Sequence, residues 1–114
     1  MADCIFCKVA NKEIGTLVYE DEQVVAFDDL NPQAPVHVLI IPKKHIERIS
    51  DVTDGEDAAL IGHILVVANQ IAEERGIAEP GYRVAVNCGE GAGQSVWHVH
   101  FHLLGGRKLG WPPG

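Results

Sequence analysis

The sequence predicts an α+β domain: an antiparallel sheet of about five strands with helices packed on a face. Three observations point there. One long helical pattern stands among short β-branched runs. The runs are joined by hairpin-type connections, with no repeated strand-helix-strand unit. The chain has 114 residues, room for one core but not two. No repeat or linker divides it, so residues 1–114 are read as one domain.

The elements follow in order. Val24 to Asp28 reads as a strand after the acidic turn Glu20-Asp21-Glu22, and Leu17 to Tyr19 is set to pair with its residues Val24 to Phe27 as a hairpin. Val36 to Ile41 is compact and β-branched, and Pro42 ends it. A helix is expected from about residue 54 to 75, because Leu60, Ile61, Ile64, Leu65, Ala68, Ile71 and Ala72 recur at spacings of three and four. Thr53 and Glu56 have capping-box spacing at its start, and Gly76 supplies its stop. His63 falls off the apolar stripe and reads as solvent-facing, or else as a dimer contact. Tyr82 to Asn87 is a further strand. The last, His98 to Leu104, sets His98, His100 and His102 on one face and Val99, Phe101 and Leu103 on the other.

Composition narrows the function. Apolar residues make up 46% and charged residues 22%, which excludes wholesale disorder. The longest apolar runs, near 36–41 and 64–68, fall far short of the roughly 20 residues that cross a bilayer, so a soluble protein is expected. Met1-Ala2-Asp3-Cys4 shows no basic stretch leading into an apolar one, and a cytoplasmic location follows as the default. Three cysteines cannot all pair internally, so thiol or metal roles are expected of them. A formal net charge of −7 repels nucleic-acid polymers at long range, yet a local cluster of donors can still hold a small anion.

Chemistry concentrates near the end. Three of the six histidines lie at period two in His98-Val99-His100-Phe101-His102. Such a row serves as a reactive face, as a metal site, or as an unusual polar surface. Just before it runs Asn87-Cys88-Gly89-Glu90-Gly91-Ala92-Gly93-Gln94-Ser95, whose glycines let successive amides converge on an anion. A P-loop lysine is absent, so magnesium-dependent nucleotide handling of that kind is not expected. Donors beside nucleophiles point to phosphate chemistry. Near the other end, Cys4-x-x-Cys7 is half of a zinc pattern, the alternative being two small thiols packed beside Ile5 and Phe6. Cys88 has no partner in sequence and reads as structural.

Pro35-x-His37, Ile41-Pro42-Lys43-Lys44-His45 and Gly93-Gln94-Ser95-Val96-x-His98-x-His100-x-His102-x-Leu104 resemble the histidine triad (HIT) superfamily. Gly105-Gly106-Arg107 and Trp111-Pro112-Pro113-Gly114 resemble its Hint branch. The resemblance implies a HIT-like fold with an additional short N-terminal helix. It implies a homodimer whose tail, residues 105–114, reaches toward the partner. The activity implied is hydrolysis of nucleoside 5'-phosphoramidates, AMP-linked amines with purine preferred, through a nucleotidyl-histidine intermediate that needs no magnesium or organic cofactor.

Carried onto this chain, the resemblance makes His100 the nucleophile. His102 and Ser95 would contact phosphate oxygens and the leaving group, while amides near Gly93 and Gln94 stabilise transition-state charge. His37 would support the nucleophile through hydrogen bonding. Asp29 and the backbone of Leu30 would take the ribose hydroxyls, and Asn87 a phosphate or ribose contact. Ile5, Phe6, Val9, Ile14, Phe27 and Leu39 would form the base slot. Structural zinc would sit on Cys4, Cys7, His45 and His98. Three rival functions stay in view: a dinucleoside polyphosphate hydrolase; a nucleotidyl transferase, in which glutamine usually takes the place of His102; and a non-enzymatic nucleotide-binding sensor or interaction module.

Overall fold

A computed structural model describes residues 4–114, so most of the N-terminal stretch inspected for a secretion signal, Met1 to Asp3, lies outside the described residues. The elements are α1 (Ile5–Ala10), β1 (Tyr19–Glu20), β2 (Val24–Asp28), β3 (Val36–Pro42), α2 (Glu56–Glu74), β4 (Tyr82–Val86) and β5 (Phe101–Gly105), with 3-10 turns at Ile49–Asp51 and Glu90–Ala92. The strands form one sheet in the order β1-β2-β3-β5-β4, every pair antiparallel. The expected α+β class and five-stranded sheet are what the chain forms. Among the described residues, no helix is long and apolar enough to cross a membrane.

Each face of the sheet buries a different set of residues. Val24, Ala26, Val38, Ile40, Val99, Phe101 and Leu103 pack with Leu60, Ile64, Val67, Ala68, Ile71 and Ala72 of α2 in the main core. On the opposite face Val25, Leu39 and Ile41 pack with Phe6, Val9 and Ala10 of α1 in a smaller cluster. Fully burying a Val, Leu or Ile is worth about 1.5–3 kcal/mol, so the larger core carries most of the stability.

Four local expectations need correction. The helix begins at Glu56, not 54, and its N-cap is Gly55 at φ 83° with no side-chain cap. Thr53 is thus displaced from the capping position, and Glu56 and Asp57 instead place negative charge at the positive end of the helix. Leu65 is 43% exposed while Val67 is fully buried. At about 100° per residue, Leu65 lies about 140° round the helix from Leu60, whereas Val67 lies within about 20° of it.

The first strand is Tyr19–Glu20, shorter and later than Leu17 to Tyr19, and it pairs with β2 as the expected hairpin. Asp21 closes that turn by accepting from the amides of Gln23 and Val24, each at 2.8 Å. His63 is only part-exposed and lies 2.6 Å from the Asp21 carboxylate. Burial alone would push the Asp21 carboxyl up, but bonds from His63, Tyr19 and the two amides outweigh it and draw it down to about 2. Lastly, the β5 ladder starts at Phe101, because residues 98–100 bond elsewhere: the Val99 amide donates to Ile46 O at 2.7 Å.

The stop at Gly76 is as expected. Gly76 takes φ 73°, its amide donates to Glu73 O at 3.2 Å, and the Ile77 amide donates to Ala72 O at 3.0 Å. That pair of bonds is a Schellman closure. It lays Ile77 on β5, where a Cβ at Gly105 would stand 2.7 Å from Ile77 Cδ1 and 3.0 Å from its Cβ. Gly105→Ala is therefore expected to cost about 1–3 kcal/mol by overpacking. A denaturant midpoint within error of the parent protein would contradict this.

Candidate active site

The histidine row keeps its alternation through the irregular residues before β5. His98, His100 and His102 lie on the α1 side of the sheet, opposite Val99, Phe101 and Leu103. His98 is fully buried, His100 is 7% exposed and His102 is part-buried. His37 reaches the same face from β3, two residues from Leu39, which stands opposite His102.

Main-chain groups fix the protons on these rings. His100 Nδ1 lies 2.9 Å from His98 O. A carbonyl only accepts, so Nδ1 carries the hydrogen and Nε2 holds the free lone pair. A second chain starts at the Gln33 amide, which donates to His37 Nδ1 at 3.0 Å. The neutral His37 ring then carries its hydrogen on Nε2, 2.9 Å from His102 Nδ1, which accepts it. His102 is left with its hydrogen on Nε2, a buried atom with no partner among the described residues. The site thus presents a lone pair on His100 and a donor on His102, with ring centroids 5.1 Å apart.

Burial favours the neutral ring of His102. It pushes His102 down to about 4, His100 and His37 adding to the shift and Asp29 opposing it. Asp29 Oδ2 stands 3.4 Å from His37 Nε2, while Oδ1 accepts the Asn31 amide at 2.8 Å. Its neighbour Asp28 is exposed and is paired with Arg75 at 3.1 and 3.3 Å. Phe6 of α1 meets His100 edge-on, centroids 5.1 Å apart and planes at 85°, so the short helix covers this part of the row.

Of the residues expected in a base slot, Phe6, Val9, Leu39 and the part-buried Phe27 come together in one apolar cluster beside the row. Ile5 and Ile14 do not join it: they are 48% and 39% exposed. Leu30 is wholly exposed beyond Asp29, Asn87 is half-buried after β4, and Ser95 is exposed on the loop before the row. The expected amide cradle differs in detail. The Gly93 and Gln94 amides already donate within the loop, to Glu90 O at 3.0 Å and Gly89 O at 3.1 Å, because the glycines tighten it into a 3-10 turn.

Gln94 does work that its sequence position did not reveal. Buried to 4% exposure, its side chain accepts from the Gly89 amide at 2.9 Å and donates to Glu47 O at 2.7 Å and Val96 O at 3.0 Å. It pins the loop to the segment after β3. Cys88 is near the surface, where a bond with the Ser50 side chain, then one with the Ser50 backbone, lowers its thiol pKa. No sequence signal joined those two residues.

Cys4, Cys7, His45 and His98 form a cluster whose ligand atoms all lie within 4.8 Å of one another. Cys4 caps α1 and accepts the Cys7 amide at 3.3 Å, which turns both sulfurs to one side. His98 Nδ1 is 3.4 Å from Cys4 Sγ and 3.6 Å from Cys7 Sγ, and His45 Nδ1 is 3.3 Å from Cys7 Sγ. Zinc bonds of about 2.3 Å to sulfur and 2.05 Å to nitrogen set tetrahedral S···N separations near 3.5 Å, so the residues fit such an ion. His98 Nε2 donates to Pro42 O at 2.8 Å, which leaves Nδ1 free as the ligand atom. Burial, then the Cys4 sulfur, push the Cys7 thiol up to about 11, and burial pushes His98 down to about 4. A cation would reverse the first shift, because it stabilises thiolate.

A family model described as HIT domain matches residues 11–109. A HIT family hydrolase of known structure from Legionella pneumophila is 52% identical, with a TM-score of 0.95 over 98% of this chain and 100% of that one. A histidine triad nucleotide-binding protein from Candida albicans is 36% identical, with a TM-score of 0.81 over 96% of this chain and 83% of its own. A HIT-like protein from Synechococcus elongatus is 50% identical over 113 residues, 98% of this chain and 97% of the relative. By the domain match, these identities and the shared fold, the chain belongs to the HIT family.

Proposed function

We propose that this protein hydrolyses the phosphorus-nitrogen bond of nucleoside 5'-phosphoramidates through a nucleotidyl intermediate on His100. The observation that carries the reading is the pair of fixed tautomers: a lone pair on His100 Nε2 beside an unpartnered N–H on His102. Hydrolases and a nucleotide-binding protein among the similar structures support the reaction class and the ligand.

In the first step His100 Nε2 attacks phosphorus, the N–P bond forms, and the bond to the amine breaks with its electron pair on the amine nitrogen. The amine takes a proton from solvent at the mouth of the site, where Ser95 is exposed. His100 retains its Nδ1 hydrogen, and the His98 carbonyl stabilises the positive ring. The His102 N–H donates to a phosphoryl oxygen as charge develops. Water then attacks phosphorus and releases a proton to solvent, the electron pair of the N–P bond returns to Nε2, and the nucleoside monophosphate leaves. Asp29 receives the ribose hydroxyls, and Phe6, Val9, Phe27 and Leu39 hold the base.

Cys4, Cys7, His45 and His98 would hold zinc, which supplies a structural cross-link between α1 and the histidine row. Free thiols fit a reducing compartment, the cytoplasm. Homodimerisation is supported by the exposed Leu65 and Val66 on α2 and by the outer edge of β4 at the end of the sheet. The tail is available to reach a partner, with Trp111 82% exposed and the Arg83 side chain donating to Gly110 O at 2.8 Å.

The test is incubation with AMP-linked amines and, separately, with dinucleoside polyphosphates. Release of AMP and free amine, with slower turnover of the polyphosphates, is expected. Preferred cleavage of the polyphosphates, or nucleotide binding with no turnover of either substrate, overturns the reading.

A further inference from the structure

We propose that Arg107 is a positioning residue of this site, acting through Gln33 on the tautomers of His37 and His102. Its kinetic consequence rests on the phosphoramidate reading, whereas its spectroscopic consequence does not.

Arg107 lies just past β5, five residues beyond His102. Gly106 makes the approach possible: it takes φ 89°, and a Cβ there would stand 2.9 Å from Pro35 Cβ, so only glycine lets the chain pass so close to the loop between β2 and β3. From there Arg107 Nε and Nη2 both donate to Gln33 O, at 3.2 and 2.9 Å. Its remaining nitrogen, Nη1, donates to Lys108 O at 3.0 Å. The Gln33 side chain is exposed and only bonds Asn31 O at 3.0 Å, so the loop needs an outside anchor to hold its backbone in place. A two-pronged, charge-assisted contact on one carbonyl supplies it.

That same residue's amide donates to His37 Nδ1. The ring chain has two self-consistent arrangements. In one, Gln33 donates to His37, His37 to His102, and His102 Nε2 presents a hydrogen. In the other, His37 is protonated on Nδ1, the direction reverses, and His102 Nε2 presents a lone pair. Only the first gives the site a donor for a phosphoryl oxygen. The Gln33 amide selects it, and Arg107 holds that amide on His37. Asp29 beside His37 Nε2 favours the same arrangement, since its carboxylate can only accept.

The experiment is ¹⁵N NMR of the histidine rings, with no substrate present, in wild type, Arg107→Gln, Arg107→Lys and Gln33→Ala. Wild type is expected to show bare Nδ1 atoms on His37 and His102. Arg107→Gln is expected to move both rings toward tautomer averaging and to lower kcat about tenfold with KM within about twofold. Arg107→Lys regains part of each effect. Gln33→Ala, which keeps the peptide and both of its main-chain contacts, keeps the wild-type ring signals. A folded Arg107→Gln protein whose ring signals superimpose on wild type overturns the proposal. If that variant does not fold, Arg107→Lys decides: ring signals moved part of the way toward tautomer averaging uphold it, and ring signals that superimpose on wild type, or a protonated His37 Nδ1 in wild type itself, overturn it. Failure of wild type to cleave phosphoramidates would reject the proposed reaction and leave this reading of the rings intact.

Discussion

Replacing His100 with alanine is expected to lower kcat/KM on an AMP-linked amine by more than about a hundredfold, a loss of at least about 3 kcal/mol of transition-state stabilisation. The size follows from the removal of the attacking ring itself, whose free Nε2 is fixed by the His98 carbonyl. His102 cannot substitute, because its Nδ1 is engaged by His37 and its Nε2 carries hydrogen. Fold and stability are expected to change much less, since the ring bonds only His98 O and packs against Phe6. Two measurements check this: steady-state turnover, and acid-quench trapping of nucleotidylated protein, which appears in wild type and not in His100→Ala or His100→Gly. Undiminished turnover in either variant would remove His100 from the nucleophile's role.

The second large effect concerns the sulfur-imidazole cluster. Adding zinc to metal-free protein is expected to raise unfolding free energy by about 4 kcal/mol once free metal exceeds its dissociation constant a thousandfold. The gain arises because the four ligand atoms are already gathered, and because an ion turns the costly proximity of two sulfurs into an attraction. Cys4→Ser or Cys7→Ser is expected to abolish the increment and to reduce bound metal from about one ion per chain to near none. Equal metal content in wild type and variants, measured by elemental analysis, would reject the site. Calorimetry with and without chelator gives the energy independently.

Much of this was legible because period-two alternation is a strong signal. The imidazole row and its apolar counterpart could be assigned to opposite faces even though the ladder itself begins only at Phe101. The motifs that hold Cys4, Cys7, His45 and His98 are legible in the sequence, and the fold gathers their ligand atoms within 4.8 Å of one another. In contrast, the N-terminus of α2 was misjudged because capping-box spacing at Thr53 says nothing about Gly55, whose backbone conformation sets the entry. Leu65 was misplaced because spacings of three and four admit both sides of a stripe until the neighbouring sheet chooses one.

What stayed hidden was mostly main-chain chemistry. The amide of Gln33 and the carbonyls of His98 and Pro42 exist at every position, and only the path of the chain aims them at a ring. The sequence around Gln94 points to its amide, whereas its buried side chain holds the loop. Nothing in the sequence around Arg107 points to Gln33, because their contact spans 74 residues.

The stretch from His98 to Gly105 has no tolerance for a change of length. Deleting or inserting one amino acid there would exchange its two sets of side chains, driving imidazoles into the interior and carrying valine, phenylalanine and leucine out beneath α1. Collapse and inactivation would arrive together. Replacement of one residue by another leaves the two faces in place there, whereas a change of length is expected to be tolerated only in the connecting loops.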